Sequence, residues 1–201
     1  MRKGRLQLLA HSLPRAVVAA IVVMCAATPA PAGAADRYTP LVQSVMSTPR
    51  WFTDSDGRVH VAYELRLTNG FPVPVTVSSV SVRDLGRRRT IERLSGSELD
   101  ASMSLLAAPT EPTTTVTGSG VGVVWFDIVL RGRRQVPHAI RHVLTVTVPP
   151  GLPVPGTITD TGGFARVDRR PPAVLGPPLR GPGWVAVGSC CDGPHRRSLQ
   201  P

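Results

Sequence analysis

The sequence predicts an all-β fold: an immunoglobulin-like antiparallel β-sandwich with one short helix, set between an export signal and a proline-rich extended tail. Three observations carry this prediction. Short apolar runs recur about every eight to twelve residues, with turn residues between them. The clearest run alternates apolar and polar residues one by one. Helical spacing is confined to a single short segment.

The elements follow in chain order. Tyr38–Arg50 is a short extended lead. Asp54-Ser55-Asp56-Gly57 is a turn. Val59–Leu67 (VHVAYELRL) then puts Val59, Val61, Tyr63, Leu65 and Leu67 on one face and His60, Ala62, Glu64 and Arg66 on the other. That is the pattern of a half-buried antiparallel strand, and Asn69-Gly70 ends it. In Val73–Asp84, Val73, Val75 and Val77 share one parity while Val80 and Val82 share the other. The switch predicts a bulge at Ser78-Ser79. Pro72 and Pro74 keep the start of this strand at an edge or entry position. A basic turn, Gly86–Arg89, leads to a short strand near Thr90–Leu94.

Ser95–Glu98 (SGSE) reads as a capping box. Leu99, Met103 and Leu106 follow at i, i+4 and i+7, which predicts an amphipathic helix ending before Pro109. Pro109–Gly120 reads as loop. Val121–Leu130 (VGVVWFDIVL) is the most apolar run and is expected to be a central strand buried on both faces. Ala139–Val148 is a last strand of the sandwich, with Ile140, Leu144, Val146 and Val148 inward. The sandwich domain is accordingly drawn at residues 35–148. From Pro149 to Pro182 prolines recur in PPG, PVP, RPP and GPP, and the stretch reads as a connector with room for a strand or two in Thr157–Asp168. Residues 183–201 begin a separate C-terminal region, opening on a short strand, Gly183–Gly188.

The 201-residue chain carries 23 basic and 13 acidic residues, and nearly all the basic charge is arginine. Residues 1–34 read as a signal peptide. Arg2, Lys3 and Arg5 give a basic start, Ala16–Ala27 is an apolar run too short to span a bilayer, and Ala30-Pro31-Ala32 or Ala32-Gly33-Ala34 offers a cleavage site. Cys25 lacks the small residue that a lipoprotein signal places before its cysteine. Cleavage takes four basic residues and no acidic ones, so the formal charge falls from +10 to +6. The expected product is secreted, without a stable membrane anchor. Arginines cluster at Arg87, Arg88 and Arg89 and again at Arg131, Arg133 and Arg134. These are candidate contacts for anionic cell-wall polymers, weighed against plain solvated turns. No aromatics interleave with them to stack bases, which argues against nucleic acid.

Catalytic templates are missing. There is no G-x-S-x-G elbow, phosphate loop or H-E-x-x-H. His138 and His142 are four apart, but on a strand that separation spans about 13 Å and cannot share a metal. Asp54, Asp56 and Gly57 suggest a calcium loop only at first sight, since Leu65 stands where the bidentate Glu belongs, and turn chemistry is the better reading. Cys190 and Cys191 are adjacent, whereas zinc sites separate cysteines by about two to four residues and redox motifs use C-x-x-C. In an exported chain they read as oxidised, in a vicinal disulfide or in bridges outside this chain. No cofactor is expected.

Several stretches taken together resemble a known group: HVAYELRLTN, SGSEL, VVWFDIVL, VPHAIRHVLTV and above all GPPLRGPGWVAVGSCCDGPHRRSLQP (Gly176–Pro201). They are similar to actinobacterial lysostaphin-like zinc metallopeptidases, which cut peptide cross-bridges in peptidoglycan. The resemblance covers nearly the whole mature chain. It implies a β-rich region that precedes a catalytic domain, with the Cys-Cys-Asp segment at that domain's threshold. The group's zinc chemistry needs an H-x-H motif, and this sequence has none. No catalytic or zinc-binding residue carries over. The resemblance therefore implies a non-enzymatic accessory module. The alternatives are an incomplete record of a zinc endopeptidase and a free-standing envelope binding or adhesion module.

Overall fold

A computed structural model describes residues 38–174, 176 and 180–183. Among the described residues, eleven strands form two antiparallel sheets that pack face to face. In the first, β1 (Leu41–Val45) and β2 (Arg50–Thr53) share one edge of β3 (Val59–Asn69). Beyond β3 come β9 (Val121–Leu130), β6 (Met103–Leu105) and β7 (Ala108–Pro112). In the second, β11 (Thr157–Arg166), β10 (Ala139–Thr147), β4 (Val75–Asp84) and β5 (Arg89–Ser95) run in that order, and β8 (Thr115–Val116) pairs the start of β4. The all-β sandwich with one short helix is what the alternating pattern predicts.

The core lies where the odd residues of β3 meet the even residues of β9 and β10. Val61, Tyr63, Leu65, Leu67, Val124, Phe126, Ile128, Ile140 and Leu144 are all buried there. The parity switch in β4 is real. Val146 pairs Val77 and Thr145 pairs Ser79, so Ser78 is the extra residue of a bulge and Val75, Val77, Val80 and Val82 are all buried.

Four expectations change. The sandwich does not stop at residue 148: β11 pairs the whole length of β10, and residues 149–156 are the turn that joins them. The helix, α1, spans only Gly96–Ala101, with Ser95 extended and making no side-chain cap, so the capping box does not form. Met103 leaves the helical pattern to pair Val124 of β9 in β6, and Leu106 is exposed. Strand pairing there outweighs a short helix that is marginal by itself. Pro109–Gly120 is not simply loop, because β7 and β8 form within and beside it. Finally, β9 is central but not buried on both faces; Asp127 and Val129 face out.

Asn69 closes the end of β3. Buried, it donates from Nδ2 to the carbonyls of Val73, Val116 and Thr117 at 2.8, 3.1 and 2.9 Å, and its Oδ1 accepts the Phe71 N–H at 2.9 Å. One side chain thus ties the β3–β4 turn to β8. Asn69→Ala leaves these carbonyls without that donor and is expected to cost about 2 kcal/mol in denaturant unfolding. A midpoint unchanged from wild type would contradict this role.

Candidate functional site

The two arginine clusters meet at one end of the sandwich. β4 pairs both β5 and β10, so the β4–β5 turn lies against the β9–β10 connection, where Leu85 N–H donates to Ala139 O at 3.1 Å. Arg87 binds the two together. Its guanidinium donates to Asp84 Oδ2 at 2.8 Å, to Gln135 O at 3.4 Å and to Arg134 O at 2.5 Å. Asp84 is only 1% exposed, and its Oδ1 accepts the backbone N–H of Gly86 and Arg87. Burial disfavours its charge, but the bonds from Arg87 and Gly86 outweigh that and hold the carboxyl below its ordinary range.

Arg133 is also committed, its guanidinium 4.8 Å above the Trp51 ring. The side chains of Arg88, Arg89, Arg131 and Arg134 are exposed, and none makes a hydrogen bond or ion pair among the described residues. Arg88 sits in the left-handed region at φ 53°, which reverses the turn within a short span. A cleft of about 370 Å³ opens between the two segments, lined by Arg89, Thr90, Ile91, Val129, Leu130, Arg131 and Gln135. Arg89 and Arg131 thus bring two unneutralised guanidinium groups to a polar cleft, which can take an anion through bidentate contacts.

A second concavity, about 550 Å³, lies where β9 runs past β6 and loses its partner on that side. Phe52 and Trp125 supply aromatic surface, while Glu92, Glu98 and Asp127 supply carboxylates. The apolar run of β9, which predicts burial on both faces, hides this concavity in the sequence. The available signal was the parity that sets Trp125 and Asp127 opposite Phe126 and Ile128.

His138, His142, Asp54, Asp56 and Asp168 line neither concavity. His142 is fully buried with both ring nitrogens bonded, as a satisfied core histidine should be. His138 is exposed beside the Arg169 guanidinium at 2.6 Å. Asp54-Ser55-Asp56-Gly57 makes the predicted turn, closed by Gly57 N–H to Asp54 O at 2.9 Å. Asp168 is held far below the usual carboxylate range, chiefly by hydrogen bonds from Arg170. Cys190 and Cys191 lie outside the described residues, as do residues 1–34. No protein-family model matches the chain, and no curated protein matches it either.

Proposed function

We propose that this chain is a non-catalytic, exported β-sandwich module of the cell envelope, an accessory to wall metabolism that holds anionic wall polymer at its arginine end. The supporting observation is that Arg89 and Arg131 line one cleft from segments more than forty residues apart, with Arg88 and Arg134 exposed on the same two turns and Arg87 spent on fixing those turns together. The resemblance of the sequence to the region preceding the catalytic domain of peptidoglycan peptidases supports the same setting.

Retention of the chain without residues 1–34 on purified teichoic acid and on peptidoglycan tests this reading. Binding at low salt is expected to weaken as salt shortens the screening length. Replacing the four unpaired arginines with alanine should reduce teichoic acid retention by about tenfold or more. Arg87 stays in place in that variant, so the fold is preserved. Absence of retention at low salt would remove the proposal. The alternative, a free-standing binding module, is favoured by the groove at Trp125. Loss of peptidoglycan retention in Trp125→Ala, with the arginine variant unaffected, would select it.

A further inference from the structure

His60 is the most unusual polar group outside the core network. Its side chain is 6% exposed, although it stands on the outer face of β3. Phe52, directly across from it on β2, stacks on the imidazole with centroids 5.5 Å apart. On the other side, Nδ1 lies 2.8 Å from Asp127 Oδ1 of β9. An acceptor there fixes the proton on Nδ1 in the neutral ring, which leaves the Nε2 lone pair available. Nε2 is buried and makes no hydrogen bond. It is aimed at the β2–β3 turn, where the nearest anion, Asp56 Oδ1, is 3.4 Å away.

That turn brings a second carboxylate. One donor atom each from Asp54, Asp56 and His60 lies within 4.8 Å of the other two. Donors about 2.1 Å from a shared ion sit about 3.4 Å apart in a tetrahedron, so modest rotation of the exposed Asp54 and Asp56 side chains closes the set. A buried ring nitrogen facing two carboxylates favours a cation: although burial disfavours the charged ring, Asp127 and Asp56 raise the imidazole pKa, and a metal ion bound here takes the place of that proton. The orienting carboxylate behind the imidazole is the arrangement that fixes metal-bound histidines elsewhere.

We propose that Asp54, Asp56 and His60 bind a divalent transition-metal ion, with Asp127 as the positioning residue behind the imidazole. The donor set excludes calcium and magnesium as preferred occupants, because those ions take oxygen ligands in larger number. One imidazole and two carboxylates suit zinc or manganese. Three protein donors leave a position open to water. Arg58 competes with the ion. Its backbone N–H donates to Asp56 Oδ1 at 2.7 Å and its Nε pairs with Oδ2. The Arg58 side chain is mostly solvent-exposed and can swing aside.

The test is calorimetric titration of the chelator-stripped full chain with Zn²⁺, alongside Ca²⁺. One equivalent of zinc is expected to bind and calcium is not. Asp54→Asn and Asp56→Asn, both exposed turn positions, should each weaken zinc at least tenfold with unchanged circular dichroism. Asp127→Asn should weaken it by about ten- to a hundredfold. Arg58→Gln should strengthen it. Zinc binding must also survive Cys190→Ser/Cys191→Ser, and Co²⁺ loading should give a spectrum without thiolate charge transfer. Zinc affinity unchanged in both aspartate variants, or lost in the cysteine variant, overturns the assignment, as does no zinc uptake at all. Polymer retention is read separately, so the two proposals fail independently.

Discussion

Acidification from pH 6.5 to pH 4 is expected to remove about 3 kcal/mol of folding stability through one residue, His142. The ring is fully buried between the sheets, edge-on to Tyr63 and tilted against Phe126. Nδ1–H donates to Gly163 O at 2.8 Å, so Nε2 must accept from Tyr63 Oη, also at 2.8 Å. Burial lowers the imidazole pKa from 6.5 to about 4, against the opposing bond to Gly163. Burial also raises the Tyr63 phenol well above its ordinary value, so it remains a donor throughout.

The sign follows from proton counting. Between pH 6.5 and 4 the unfolded chain binds a proton at this histidine and the folded chain does not, so each step down in pH favours unfolding. Asp84 and Asp168 have lowered folded pKa values, so their stability is present above 3.8 and is lost only below it. Their window lies beneath that of His142. Urea unfolding at several pH values across the range should show the slope. His142→Gln should be less stable at neutral pH and should lose the slope. A wild-type stability that stays flat from pH 6.5 to 4 would sink the assignment.

The same histidine shows what the sequence made legible. Strand β3 could be read residue by residue because its partners demanded strict alternation, and every predicted inward residue is buried. The bulge at Ser78 was visible because it moved Val80 and Val82 to the opposite parity. Strand β11 was obscure for the opposite reason: TITDTGGFAR carries few apolar residues in alternation, and its place is set by pairing with β10. Met103 was assigned to a helix because local spacing cannot register a hydrogen-bonding edge on β9, which only the tertiary fold supplies.

The sites divide along the same line. The arginine clusters are plain in the sequence, but their convergence depends on β4 pairing both β5 and β10. His60 looked like one more outward polar residue of β3. Two registers make it unusual: Phe52 opposite it on β2, and Asp127, sixty-seven residues away, two positions along β9. No spacing rule within one segment carries that information, because it belongs to the contact between strands.

Gly163→Ala is expected to destabilise the fold by about 3 kcal/mol, the largest effect of any single added methyl among the glycines of β11. Gly163 is part of a bulge: Ile140 pairs Ala165 and His142 pairs Gly162, so β11 holds one residue more than β10 across this step. The extra residue takes φ +56°, a conformation that costs an L residue about 1–2 kcal/mol. Space is lacking as well. A Cβ would stand 2.7 Å from His142 Nδ1 and 2.9 Å from Leu65 Cδ1, and overpacking of that kind costs about 1–3 kcal/mol. Both neighbours are fully buried, so neither can step aside into solvent. Displacing the imidazole would also lengthen its bonds to Gly163 O and Tyr63 Oη. Gly162→Ala is the control. The nearest atoms to its Cβ would be those of the Gln43 side chain, at 3.1 Å, and its backbone is not left-handed, so a change under about 1 kcal/mol is expected. Denaturant unfolding of the two variants separates a generic cost of losing glycine from a requirement at this bulge. Equal midpoints would mean that the His142 network tolerates displacement, and that the acid lability argued above must then arise elsewhere.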